Sequence, residues 1–422
     1  MRCGIVVLFL AAFSVGLCEE KVRLIVAPFD GSTEEAKMAG AALAETIILT
    51  LRENAKSAIV YDHERLLWAL NRALLRYATL DDAGKATRLA NTLGANYVLT
   101  GRVVPKNGKI KVTCHLHKCG KETKTVVTLT TEGDFEEVAK YVVSKAAENL
   151  RLDLSSKEPI LPVGKEHILT YGKVLVCKRD PDRYAEAADA VSALLKAGEK
   201  GAPARFHSGW LLLQRALVAD REGEDEKAAR LVDVAEKAFV AATRAGGART
   251  YVARAFNSLG LLAMDERHWA DAEQRFGQAI ATDGNIADAH RNIGAVYRKL
   301  RRYKKAVEHL KKAAEIAPND AAIYNDLGST LTDAACELLK KKKKDEAKKE
   351  LEKACDAYKK ALALDEEMVE AAGGLALALD LLEKKKEALK YYRLYEKLGG
   401  DDGDLLDRLD ALEQELKNKG GK

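Results

Sequence analysis

Apolar positions along the chain change their period near residue 160. From Lys21 to about residue 152, short apolar runs alternate with helical stretches. "VRLIVAPFDGSTEEAKMAGAALAETIILTLREN" reads as a strand, a polar turn and a long helix with Ala and Leu at three- and four-residue spacing. "SAIVYD" is a second short strand, after which Asp62 is placed to cap a helix bearing Leu66, Leu67 and Leu70. A further helix spans about Asp81 to Leu93 and stops at Gly94, where a left-handed cap costs glycine little. Three strands follow, "NYVLTGRVV", "KIKVTCHLHK" and "TKTVVTLTTEG", joined by turns containing Asn107-Gly108 and Cys119-Gly120. Asn-Gly between alternating segments is a strong hairpin signal. "DFEEVAKYVVSKAAENL" closes the unit as a helix, with Asp134 and Glu137 spaced as a capping box. The pattern predicts an α/β amino-terminal domain over 21–152, a mixed sheet with flanking helices. Pro159 and Pro162 in an aperiodic stretch mark 153–164 as a linker.

Beyond the linker every segment has helical period, and the chain repeats itself. Gly260, Gly294 and Gly328 follow one another at 34 residues, as do Leu259, Ile293 and Leu327. Ala272 matches Ala306, Phe276 matches Leu310, and Ala279 matches Ala313. Small residues at these sites let two antiparallel helices approach closely, while the larger apolar residues fill the space between them. Pro318 ends its helix where a turn must follow. These positions, most clearly "NIGAVYRKLRRYKKAVEHLKKAAEIAPN", resemble the tetratricopeptide repeat. The resemblance implies an all-α solenoid: repeats over 249–400, degenerate helical pairs over 165–248 and a capping helix over 401–418.

One repeat is longer than its neighbours. Taking Gly374 as the next glycine after Gly328 gives a spacing of 46, twelve residues more than 34. The apolar stripe continues through the insertion on Leu331, Ala335, Leu338, Leu339, Ala347 and Leu351, so each helix gains about six residues and the pair lengthens by about 9 Å. The run of five lysines, Lys340–Lys344, is then the solvated tip of a projecting hairpin. Cys336 and Cys355, on its two arms, are expected over about 10 Å apart, too far to bridge.

The amino-terminal half carries a second resemblance. "VRLIVAPFDG" and "LGANYVLTGRVVPKNGKIKVTCHL" are similar to the amino-terminal domain of the TolB family of bacterial envelope proteins. That likeness covers about 130 residues of 21–152 and implies a docking domain without catalytic residues. The β-propeller that follows it in the family has no counterpart here, where helices follow.

Sixty-nine Lys and Arg stand against 64 Asp and Glu, a net charge of +5 that is too mild to mark a nucleic-acid binder. "MRCGIVVLFLAAFSVGLCEE" has the layout of a secretory signal peptide over 1–18, so a periplasmic or secreted location is expected. Cys18 also admits a lipid anchor, although Leu17 stands where that processing normally has Gly, Ala or Ser. No later run of 18 apolar residues is present. Five scattered cysteines, Cys114, Cys119, Cys177, Cys336 and Cys355, do not form a disulfide framework.

Candidate chemistry is sparse. His115, His117 and Cys119 alternate along one strand and share a face, a set that suits zinc or simply an exposed strand. The amides opening the helix after "FDGSTEE" suit an anion or, more simply, a side-chain cap. No phosphate loop, zinc-protease helix or Ser-His-acid set is recognisable, so neither an enzyme nor a cofactor is expected. Trp210, Trp269, Tyr297 and Tyr324 lie at core spacing.

The repeat register places Arg254, Asn257, Arg291, Asn292, Arg298 and Asn325 on the solenoid's inner surface. Guanidinium and amide groups suit the carboxylates and backbone of a bound peptide. Of the positions used by the tetratricopeptide clamp for peptide carboxyl termini, only Asn292 matches. Leu261, Ala322 and Asp326 depart from it, so that clamp is not expected. The expectation is an exported, non-enzymatic adaptor that binds a protein or peptide. The alternative is an extracytoplasmic sensor whose α/β domain binds a small molecule or metal.

Overall fold

A computed structural model describes residues 21–55, 57–62, 65–66, 83–120 and 122–420. The expected signal peptide with Cys18, the helical positions Leu67 and Leu70, and the expected start at Asp81 lie outside them. The α/β half contains β1 (Arg23–Val26), α1 (Glu34–Asn54), β2 (Ile59–Val60), α2 (Ala83–Leu93), β3 (Tyr97–Lys106), β4 (Lys109–Lys118), β5 (Lys124–Gly133) and α3 (Phe135–Leu150). The sheet order is β2-β1-β3-β4-β5; β1 runs parallel to β2 and β3, and β3, β4 and β5 are antiparallel. The mixture follows from the connections. A helix-length crossover separates the parallel strands, whereas Asn107 and Gly108, at φ 50° and 75°, fold the tight turn between β3 and β4. Thr33 caps α1 by accepting from the Ala36 amide at 3.1 Å, and Asp134 with Glu137 forms the capping box of α3.

Strand alternation sends side chains to two different cores. Leu24, Val26, Leu99, Cys114 and Leu116 pack under α1 and α3, against Leu43, Ile47, Val138 and Val142. Ile25, Ala27, Ile59 and Val98 face the other way, onto Ala86, Leu89 and Leu93 of α2. That second core also contains Ala287, Ala313, Ile316, Ala317 and Ile323, which belong to the repeats. The two halves of the chain therefore share a core.

The helical half consists of six antiparallel pairs and a final helix: α4 (Ile168–Cys177) with α5 (Tyr184–Lys196), α6 (Ala202–Arg221) with α7 (Asp225–Arg244), α8 (Arg249–Asp265) with α9 (Trp269–Thr282), α10 (Ala287–Lys299) with α11 (Tyr303–Ile316), α12 (Ala321–Lys340) with α13 (Lys344–Leu364), α14 (Val369–Leu381) with α15 (Lys385–Lys397), then α16 (Gly403–Gly420). Glycine lets the paired helices close: a Cβ on Gly260 would stand 2.6 Å from the ring of Phe276, and one on Gly328 would stand 2.8 Å from that of Tyr358. The turn within each of the last four pairs contains one left-handed residue, Arg267, Arg301, Lys342 or Glu383, with φ of 60°, 56°, 60° and 62°. Gly223 holds that place between α6 and α7, at φ 75°.

Two expectations are revised. From the start of α12 at Ala321 to the start of α14 at Val369 is 48 residues, so the insertion is fourteen residues, seven per helix. Gly374 is not the equivalent of Gly328; seven residues into α14 stands Ala376, fully buried, and this pair has drifted by two. The stretch read as a linker is pinned to α1: Ser155 Oγ donates to Asn54 Oδ1 at 2.8 Å and the Ile160 amide donates to Thr50 Oγ1 at 2.9 Å. Cys336 and Cys355 are free thiols.

Candidate functional site

The six residues predicted for the inner surface separate into two groups. Arg254, in the first turn and a half of α8, is buried and pairs with Asp62 of the α/β half. Its guanidinium also stands over the rings of Tyr251 and Phe206, at 5.5 Å and 5.9 Å. It therefore belongs to a seam inside the molecule and not to an open groove. The other five stay on the face shared by the first helices of the pairs, and four of them bridge neighbouring repeats. Asn292 Nδ2 donates to Asn257 Oδ1 at 3.1 Å, Arg291 Nε to Asp326 at 2.5 Å and Arg298 Nε to Asp333 at 2.6 Å. Asn325 lies between them, half-buried, with its Oδ1 unpaired among the described residues. Each rung spans 35 residues, one repeat plus one, which is why the series climbs parallel helices at constant height.

The seam has an ionic stretch. Arg52, on α1, reaches Asp283 at 2.5 Å, Thr250 Oγ1 at 3.1 Å and the Val60 carbonyl at 2.5 Å. Arg65 reaches Asp320 at 2.5 Å and Asp288 at 3.4 Å. Burial pushes the Asp62 carboxyl up, but Arg254 and Arg52 outweigh it and hold the pKa near 2. Burial likewise opposes ionisation of Asp283, and Arg52 again brings its pKa below the ordinary value. Pairing on this scale is what lets charges stand inside a core.

A second polar stretch crosses the seam as a directed chain. Lys178 Nζ lies 3.4 Å from His207 Nδ1, His207 Nε2 lies 3.1 Å from Tyr171 Oη, Tyr171 donates to Tyr251 Oη at 2.9 Å, and Tyr251 donates to Glu45 Oε1 at 2.8 Å. Lysine only donates, so the Lys178 end sets the direction of the protons along the chain and leaves His207 neutral with its proton on Nε2. Burial lowers the His207 pKa well below its ordinary value, in agreement, and raises those of Tyr251 and Glu45. These groups come from α1, α4 and its following turn, α6 and α8. The glycine of α4 makes their approach possible: a Cβ on Gly172 would fall 2.1 Å from the Met38 carbonyl oxygen of α1.

Sequence reasoning did not find this seam. The available signal was α1 itself, in which Glu45, Thr46, Thr50 and Arg52 interrupt an otherwise apolar helix. Glu45, Thr46 and Thr50 are buried, and only 3% of the Arg52 side chain is exposed. Thr46 and Thr50 are satisfied within the helix, donating to the Ala42 and Thr46 carbonyls at 2.9 Å and 2.6 Å, so Glu45 and Arg52 are the two that need partners from outside it.

Of the zinc-type set, His117 is buried with Nε2 3.1 Å from Thr100 Oγ1 and Nδ1 3.2 Å from Thr125 Oγ1. His115 Nδ1 lies 2.9 Å from Thr128 Oγ1, and Cys119 sits in the shared core. Among the described residues, the trio whose ligand atoms do converge is Glu166, His167 and Glu199, within 4.8 Å, at the entrance to the first pair.

Residues 287–320 match the family model described as tetratricopeptide repeat. No curated protein matches the chain. Among solved structures it is similar to MamA, residues 41 to the end, from Desulfovibrio magneticus, with 20% identity over 46% of this chain and 97% of that one and a TM-score of 0.34. A thermophilic TPR protein in Thermus thermophilus gives 19% identity, 49% and 99% coverage and a TM-score of 0.35. The APC/C hetero-tetramer Cut9–Hcn1 gives 14%, 66% and 46%, and 0.43. The pair α10 and α11 with its following turn is thus a tetratricopeptide repeat, set in a mostly helical solenoid of similar pairs that joins a small mixed sheet.

Proposed function

We propose that this chain is a non-enzymatic protein-interaction scaffold whose solenoid holds a segment of a partner protein along the inner face of α8, α10 and α12. The observation that carries the reading is the ladder of half-exposed rungs, Asn257–Asn292, Arg291–Asp326 and Arg298–Asp333. Each rung presents a donor and an acceptor at a spacing fixed by the repeat. A peptide backbone, with its own alternating donors and acceptors, is the partner such a surface suits. With Arg254 withdrawn into the seam, the recognising set becomes Asn257, Arg291, Asn292, Arg298 and Asn325. The α/β half acts as a brace for this face; the TolB-like reading of it as an envelope docking domain, and export directed by residues 1–18, are further parts of the proposal.

Photo-crosslinking tests it. A reactive residue at Asn325 or Ala295 is expected to capture a defined partner, whereas one at Lys237 on α7 is not. Arg291→Gln with Arg298→Gln, which spares the paired aspartates a like charge, is expected to reduce capture by at least about tenfold without lowering thermal stability by more than a few tenths of a kcal/mol, since these pairs are solvent-screened. Equal capture from both faces would overturn the assignment.

A further inference from the structure

Two hairpins reach past the rest of the solenoid, both at the edge that the α/β half leaves free. The α/β half meets the turns between pairs, at Asp283 and Ile316–Asp320, and the first turns of α8, α10 and α12. The turns within pairs lie at the other edge, because each pair is antiparallel and its first helices run alongside one another. There α6 runs twelve residues past Gly209 and α12 twelve past Gly328, whereas α8 and α10 run five past Gly260 and Gly294. Both long hairpins thus overreach their neighbours by seven residues, about 10 Å. Two short pairs stand between them.

Their tips carry opposite charge. Residues 220–227 hold five acids, Asp220, Glu222, Glu224, Asp225 and Glu226, against Arg221 and Lys227, a net of −3. Residues 340–347 hold five lysines against Asp345 and Glu346, a net of +3. All sixteen are exposed except Ala347, which is buried between the arms. The acidic hairpin has an additional feature: Leu217, Val218 and Val234, at 53%, 48% and 48%, are the most exposed large apolar residues among those described, and all three lie on α6 and α7.

We propose that a second copy of this chain docks edge to edge about a two-fold axis, with each acidic tip against the other copy's lysine tip. Two equal projections of opposite charge on one edge are self-complementary under a two-fold rotation, and both contacts close together. Simultaneous engagement raises the effective concentration at the second contact, which compensates for exposed ion pairs that are individually weak. The four-carbon stems of Lys340–Lys344 give Leu217 and Val218 an apolar cover while their ammonium groups reach the carboxylates. The contact is small and of the transient class, and it is salt-sensitive because the tips are solvated over the Debye length of about 8 Å at physiological ionic strength.

Charge reversal at the tips tests this on the full chain. E222K/E224K/E226K turns the acidic tip from −3 to +3, and K341E/K342E/K343E turns the lysine tip from +3 to −3. Sedimentation velocity is expected to find wild-type dimer at about 50 mM salt and monomer at about 500 mM. Each variant alone, with two tips of one sign, is expected to dimerise at least about tenfold more weakly, and an equimolar mixture of the two is expected to recover the dimer. Far-ultraviolet circular dichroism and a thermal melt establish that both variants keep the fold. A wild-type chain that stays monomeric in low salt, a variant that dimerises alone as wild type does, or a mixture that does not associate each overturns the proposal. So does a monomeric wild type that instead binds vesicles containing phosphatidylglycerol through its lysines.

Discussion

Replacing Arg254 with methionine keeps the bulk of the side chain and removes the strongest charge facing Asp62. In the wild type the Asp62 carboxyl is held near 2 against an ordinary 3.8, and a difference of that size corresponds to about 2 to 3 kcal/mol of folding stability at neutral pH. Because the folded value is the lower one, this contribution is fully present above about pH 5; it declines as the pH drops, and about half is gone at pH 3. After substitution Asp62 keeps Arg52 at 3.9 Å and the Arg65 amide at 3.0 Å, while the aromatic faces of Tyr251 and Phe206 lose their cation. The net loss is therefore about 2–4 kcal/mol at pH 7, within the range for breaking a buried pair. Urea unfolding at pH 7 and pH 3 measures it: the variant should lie below wild type by that amount at pH 7 and by about half as much at pH 3. Adding Asp62→Asn should cost less than the sum of the single changes. A variant within about 0.5 kcal/mol of wild type at pH 7, or a difference that does not shrink with acid, would refute the claim that this pair joins the two halves.

Gly94 has φ +70°, and a Cβ there would stand 2.6 Å from Pro318 Cγ across the seam, so Gly94→Ala should lower stability by about 2 kcal/mol or more in thermal unfolding. Lys342→Gly should raise it by up to about 1 kcal/mol, because the turn residue sits at φ 60° and is solvated. Tyr251→Phe removes the donor to Glu45 and the acceptor for Tyr171; a loss of about 1–3 kcal/mol is expected by urea unfolding at pH 7.

Position by position, what the sequence disclosed depended on whether the constraint was periodic. Gly260, Gly294 and Gly328 were visible because each lets its own pair close, and that requirement recurs every 34 residues. Gly209 meets the same requirement against Phe239, yet it precedes Gly260 by 51 residues, so the extended α6 and α7 hairpin escaped the spacing argument. The strands were visible through their alternation, although nothing in it says that Ile25 and Val98 would be covered by Ile316 and Ile323. The inner-face register placed Arg254 correctly on its helix and wrongly with respect to what it faces. Periodicity reports which face a residue is on; the occupant of that face is decided by a non-repeating partner, Asp62, almost two hundred residues away.

Helix α1 has a consequence for biosynthesis. Its Ala41, Ala42 and Leu49 are sealed by α4, α6 and α8, and Glu45 meets Tyr251 across 206 residues of chain. At ~5–20 residues per second of translation, that interval is roughly 10–40 s. Over that interval the nascent α1 presents an apolar stripe and a carboxylate that Tyr251 has yet to reach, a surface on which a holding chaperone would act; the third helical pair completes its cover, and the opposite face of the sheet waits for Ile323 in the fifth.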